Sequence, residues 1–146
     1  MRHVALAFAV LLGLTGAAAA QQSYMQASGA WARAMPGGSG PVAVYFTLHD
    51  GGDADNLTSV SADAAGMAMM HRTVEQGGVS EMLPEQSVPV PAGGTVTFRP
   101  GGLHVMLTGL NRALKPGDTF SMELTFDRAP PLTVPVVVRP ITASGP

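Results

Sequence analysis

Two histidines and two methionines stand in one window of the chain at spacings that permit metal chemistry. His71 is followed by Met82 after ten intervening residues, by His104 after twenty-one more, and by Met106 two places further on. There is no cysteine anywhere in the sequence. Neutral imidazole nitrogens joined to thioether sulfurs, without a thiolate, form a donor set that suits a soft monovalent ion, above all Cu(I). Zinc sites are built from cysteine, histidine and carboxylate, and a blue-copper electron-transfer centre needs a cysteine thiolate, so both are disfavoured by the same residues. Thioethers hold copper without strong charge and need no deprotonation. Met82 and Met106 are therefore donors that an acceptor could displace one at a time.

The elements that must position these donors are read from residue alternation. Leu103, Val105 and Leu107 alternate with His104 and Met106, so a strand here turns both donors to one surface and an apolar anchor to the other. Met67, Met69 and His71 share one face of a second strand and Met70 takes the opposite one. A helix over Ala62 to Met70 is the rival assignment, opposed by Gly66 and the lack of a cap. Gly77-Gly78 closes a hairpin into Val79 to Leu83, which brings Met82 back beside His71.

Elsewhere the same period marks Val42 to Leu48, Thr95 to Phe98 and Phe120 to Phe126 as strands, and Tyr24 to Arg33, which has no helical stripe, Asn56 to Ser61 and Leu132 to Val138 read as three more. Pro84 to Pro91 reads as a connection and Ile141 to Pro146 as a frayed tail. Trp31 is expected to pack in the core or at its rim, and His49, at a strand end on the polar parity, to be solvated. Eight or nine short strands between Gly/Pro turns, with no convincing helix, predict an all-β protein, an antiparallel β-sandwich or barrel.

Composition limits the remaining classes. Met-Arg-His, the apolar run Val4 to Leu14 and the small tract Ala17 to Ala20 predict a secretory signal peptide over residues 1–20, cut before Gln21, with one domain over 21–146. The apolar run is too short for a membrane anchor. Bacterial lipid attachment has no cysteine to use. The formal net charge is −2, and one unit more negative once Arg2 is removed, which gives no case for nucleic acid or anionic membrane as partner. Without disulfides an exported domain must be stabilised by packing. Nine methionines exceed what core filling alone asks for, so company and spacing must separate ligands from filler. No nucleophile motif or paired-carboxylate signature points to an enzyme.

The spacing His71, ten residues, Met82, twenty-one residues, His104, one residue, Met106 resembles the signature of the periplasmic PCuAC family of copper chaperones. The resemblance extends to Trp31-Ala32-Arg33, Pro91-Ala-Gly-Gly94 and Arg99-Pro-Gly-Gly-Leu-His-Val-Met-Leu-Thr-Gly-Leu110. It implies a cupredoxin-like Greek key, Cu(I) on those four side chains, and delivery to the dinuclear copper centre of cytochrome c oxidase subunit II, with a Sco-type protein as a further partner. Two departures stand out. Where many members carry a further methionine two residues after the first histidine, this chain has Thr73, which leaves two alternatives: Met69 or Met70 substitutes, or the site lacks that extra sulfur. The His- and Met-rich tail of some members is replaced by Ile-Thr-Ala-Ser-Gly-Pro. The alternatives at this point are a copper-tolerance carrier in the periplasm and an exported β-sandwich binding module whose methionines are core.

Overall fold

A computed structural model describes residues 24–146. The expected signal peptide and its cleavage point lie outside the described residues. Ten strands follow one another: β1 (Met25–Arg33), β2 (Val42–Asp50), β3 (Asp55–Ala62), β4 (Ala65–Gln76), β5 (Val79–Glu85), β6 (Val88–Val90), β7 (Thr95–Thr97), β8 (Leu103–Leu110), β9 (Thr119–Phe126) and β10 (Leu132–Arg139). Among the described residues the helical content is one three-residue 3-10 turn, Pro36–Gly38.

The hydrogen-bonded order is β5-β4-β8-β2-β1-β10-β9-β3-β6, with β7 added on β2. One buried cluster draws on both ends of that order: Val42, Val44, Phe46 and Leu48 of β2 join Val105 and Leu107 of β8, Leu57 of β3, Met122 and Leu124 of β9 and Val136 of β10. The sheet is therefore wrapped on itself into a two-layer sandwich with its apolar parity inward, as alternation requires. Phe46 and Phe98 stack in this core with ring centroids 4.3 Å apart.

Three expectations need correction. The sheet is mixed, because β1 runs parallel to β10 through Trp31/Val137 and Ala32/Val138. The β1–β2 register shifts between Ser28 and Trp31, and beyond that bulge Trp31 and Ala32 are shared between β2 and β10. The Pro84–Pro91 connection contains the short strand β6, paired with β3 through Val88/Leu57 and Val90/Asp55, and β5 itself runs on to Glu85. The C-terminal tail is tied down: Nη2 of Arg33 donates to the Ala143 carbonyl at 2.8 Å, and the Ala143 amide donates to Pro140.

Asp55 ties the start of β3 to the turn between β9 and β10. Its carboxylate accepts the amides of Asn56 (2.8 Å), Arg128 (3.1 Å) and Ala129 (2.7 Å). Burial pushes this carboxyl up, but the three amides and the Arg128 charge outweigh it and hold it below the usual carboxylate range.

Candidate metal site

The helix alternative for the Met67 segment fails because β4 is paired along both edges, to β8 on one side and β5 on the other. Met70 explains the choice: it is buried on the core face opposite Val105, while Met67 and Met69 are left in solvent. A strand is the conformation that separates these neighbours so sharply. The β4–β5 hairpin closes through Gly77 and Gly78, whose φ values of 57° and 80° are the left-handed pair that a two-residue turn of this hand demands.

This register places His71 directly opposite His104 across β4 and β8, and Met69 directly opposite Met106 on the next rung of the same face. On the other side of β4, Met82 of β5 lies opposite Thr73, and Pro84 lies opposite His71, so Met82 shares the face of the histidine pair. All four donors singled out by spacing are thus brought to one patch on three adjacent strands. Met69 is there too, and Met70 is not.

The imidazole rings stand 5.7 Å apart between centroids, edge to face at 64°. His104 is 3% exposed, and its Nδ1 lies 3.0 Å from the Gly102 carbonyl. A carbonyl can only accept, so Nδ1 carries the hydrogen and the lone pair of the neutral ring stands on Nε2. The same Gly102 oxygen accepts the Thr73 amide at 3.1 Å, which fixes it at the edge of the β4–β8 ladder. Nε2 of His104 and Nδ1 of His71 are both buried and have no hydrogen-bond partner among the described residues. Leaving one such atom unpaired costs about 1–3 kcal/mol. One electrophile shared between the opposed rings would satisfy both. Metal–nitrogen bonds of about 2 Å put two rings sharing an ion at centroid separations up to roughly 6 Å, which the observed spacing meets.

Burial, and secondarily the charge His104 would carry, hold the His71 pKa below the usual imidazole value. The ring therefore stays neutral and keeps a free lone pair at neutral pH. Among the described residues no three of His, Cys, Asp and Glu come together, and the further side chains of soft-donor type on this face are the methionine thioethers. Met82 is 57% exposed, and Met106 is partly buried. The site lies near the surface, with β5 as its outer, unpaired edge. The Arg72–Glu85 ion pair at 2.6 Å clips that edge strand to β4.

Beyond the donors, a row of side chains that the spacing argument left out runs across the sheet. One step along the Val44/Val105 pairing brings Tyr45 beside His104, and Tyr45 pairs with Trp31. Their rings lie 4.7 Å apart with the Arg33 guanidinium over both, 5.7 and 5.8 Å from the centroids. Trp31 is buried as expected. The signal for Tyr45 was its parity, since it alternates with the core residues of β2 and so had to face the His104 side. His49 is exposed, as expected, with Nδ1 3.2 Å from the Thr95 hydroxyl and no part in this patch.

These features define a cupredoxin-like β-sandwich that gathers two histidines and three methionines on one face near its edge. The fold matches that of the apo PCuAC domain of PmoF2 with a TM-score of 0.69, at 22% identity, covering 84% of this chain and 95% of that one. By sequence the chain belongs to the LpqE-like family, described as "Putative lipoprotein LpqE-like", whose model matches residues 25–138. It is 35% identical over 142 residues to "Putative lipoprotein Lxx21020" of Leifsonia xyli subsp. xyli, covering 88% of this chain and 84% of that protein. It is also similar to the Cu(I) form of DR1885 from Deinococcus radiodurans, at 30% identity and a TM-score of 0.59, covering 86% of this chain and 83% of that one. No helix among the described residues is long and apolar enough to cross a membrane.

Proposed function

We propose that this protein is a periplasmic copper chaperone, exported through residues 1–20, that carries Cu(I) on His71, Met82, His104 and Met106 and releases it by stepwise ligand exchange. One observation carries the reading: two imidazoles, each with a buried nitrogen that has no partner among the described residues, stand opposite each other on one rung of the β4–β8 ladder, with methionines on the same face. His104 is oriented by Gly102 as metal-bound histidines are by their outer partners. The similarity to a protein whose structure was solved as its Cu(I) form supports the same cargo. The ion is the cargo, so no catalytic step is required. Delivery to the dinuclear centre of cytochrome c oxidase subunit II, alongside a Sco-type protein, rests on the PCuAC resemblance. A periplasmic copper-tolerance carrier would use the same site.

The test is an anaerobic Cu(I) competition titration of the mature chain against a colorimetric chelator, beside Met82→Ala and His104→Ala. One competitively held equivalent in the parent, weakened in the first variant and lost in the second, is the expected result. No competition by the parent would overturn the reading in favour of an exported β-sandwich that binds no metal. A second titration, with the purified copper-free subunit II domain replacing the chelator, then asks whether that acceptor takes the ion.

A further inference from the structure

Two thioethers on the face of the site have no part in the four-donor set. Met67 and Met69 occupy β4 at the parity of His71, with Met69 opposite Met106 and Met67 opposite Thr108. They are 57% and 43% exposed. A long apolar side chain left in water adds little to stability, and the two stand side by side on one face, next to a soft-metal pocket.

The placement has a symmetry. Met69 precedes His71 by two residues on β4, and Met106 follows His104 by two residues on the antiparallel strand β8, so both methionines fall on the same side of the histidine rung. Directly opposed side chains have Cβ atoms about 4.5–5.5 Å apart, and same-face neighbours on one strand are separated by about 6.7 Å. Three flexible bonds let each methionine sulfur cover such gaps. The sulfurs of Met67, Met69 and Met106 can therefore converge above the β4–β8 ladder, one rung away from the imidazoles. Three neutral thioethers satisfy a three-coordinate Cu(I) ion.

We propose that Met67, Met69 and Met106 form a second, all-thioether Cu(I) station, with Met106 shared between it and the histidine pair. The proposal rests on the reading of His71 and His104 as the first copper site. In the transfer between stations the nitrogen–copper bonds to His71 and His104 and the sulfur–copper bond to Met82 break as sulfur–copper bonds to Met69 and Met67 form, with Met106 bound throughout. The ion remains Cu(I) throughout, no electron moves, and the imidazoles are left neutral with their lone pairs free. Exposure suits the second station to an acceptor's approach.

The experiment uses the mature chain labelled with methyl-13C methionine, its methyl signals assigned by single Met→Leu variants. It is titrated with Ag(I), a redox-inert ion of the same charge and preference, and then anaerobically with Cu(I). The expected result is that Met82 and Met106 methyls move through the first equivalent, that Met67 and Met69 methyls move through the second together with a further shift of the shared Met106, and that Met67→Leu with Met69→Leu removes the second step. Met67 and Met69 signals that stay fixed through two equivalents while Met82 and Met106 move would overturn the second station and leave the first intact. Movement of Met69 complete within the first equivalent, without Met67, would also overturn it by placing Met69 in the first site. If no methyl responds, the second station falls together with the copper reading beneath it.

Discussion

Met70 and Met82 make opposite demands on the same kind of side chain, and exchanging each for alanine separates them. Met70 is 5% exposed and belongs to the core cluster. Its truncation removes most of a buried side chain and leaves a cavity, a change that costs about 2–5 kcal/mol. For a domain of this size each kcal/mol lowers Tm by roughly 4 °C, so Met70→Ala should melt about 8–20 °C below the parent. Met82 projects from edge strand β5 with more than half its surface in water. Met82→Ala should shift apo stability by no more than about 0.5 kcal/mol, or roughly 2 °C. For Cu(I) the order reverses. Met82→Ala should weaken binding by about tenfold or more, equivalent to about 1.4 kcal/mol, and Met70→Ala should leave the affinity of its folded fraction unchanged. The assays are thermal unfolding of the apo proteins by circular dichroism and Cu(I) competition under argon well below both melting points. Equal affinity losses in the two variants would refute the argument, because one face of β4 would then not be sealed from the other.

Because the His71 pKa is depressed in the folded apo protein, the unfolded chain binds more protons just below the ordinary imidazole value. Apo stability should therefore be level with respect to His71 above about pH 6.5 and should fall as the pH drops through the folded-state pKa. Comparison of Tm against pH with His71→Gln, which should flatten that slope, checks the sign. Asp55, also depressed, contributes stability that is present above about pH 3.9 and lost as pH falls through its folded pKa. Asp55→Asn should cost about 1–3 kcal/mol at neutral pH, with the difference shrinking below pH 4; urea unfolding at both pH values measures it. Trp31 is the sole tryptophan and ends the row that starts at His71 and His104. Its emission should change with Ag(I) and saturate at the first equivalent, and a flat response would show that the row does not transmit displacement of His104.

Local alternation made most of the strands legible. Val42, Val44, Phe46 and Leu48 are all buried, as are Phe120, Met122, Leu124 and Phe126, because period-two burial is imposed residue by residue. The facing of His104 and Met106 to one side follows from the same rule. What alternation cannot supply is the rung on which two distant strands meet. The pairing of His71 with His104 is set by the core, where Met70 must lie level with Val105 and Ala68 with Leu107. A slip of one residue would turn the imidazoles toward the core and the core side chains away from it. Strand β6 escaped notice because Val88-Pro89-Val90 looks like a linker, yet a proline is tolerated where β6 ends the strand order and one edge needs no donor. Pro84 sits on the opposite end strand, β5, for the same reason. The parallel β1–β10 contact and the anchoring of the tail by Arg33 depend on chain segments more than a hundred residues apart, and no local pattern encodes them.

The four donors differ in how firmly the fold holds them, and that inequality favours carriage over storage. His104 is on β8, paired on both sides by β4 and β2, buried and fixed through Nδ1 to a carbonyl that also secures the Thr73 amide. His71 faces it from β4, likewise paired on both edges. Met82 lies on the outermost strand, beyond a turn of two glycines, with nothing paired to its far side. A protein that kept its ion permanently would be expected to place every donor as His104 is placed, since preorganisation removes the entropy cost of binding. In the proposed site the rigid pair of imidazoles would define where the ion sits, and an exposed sulfur would close the shell. An incoming thioether or imidazole can displace that sulfur without disturbing the rest. With no cysteine in the chain there is also no thiolate to hold the ion back, so the step that opens the site is the one for which the fold offers least resistance.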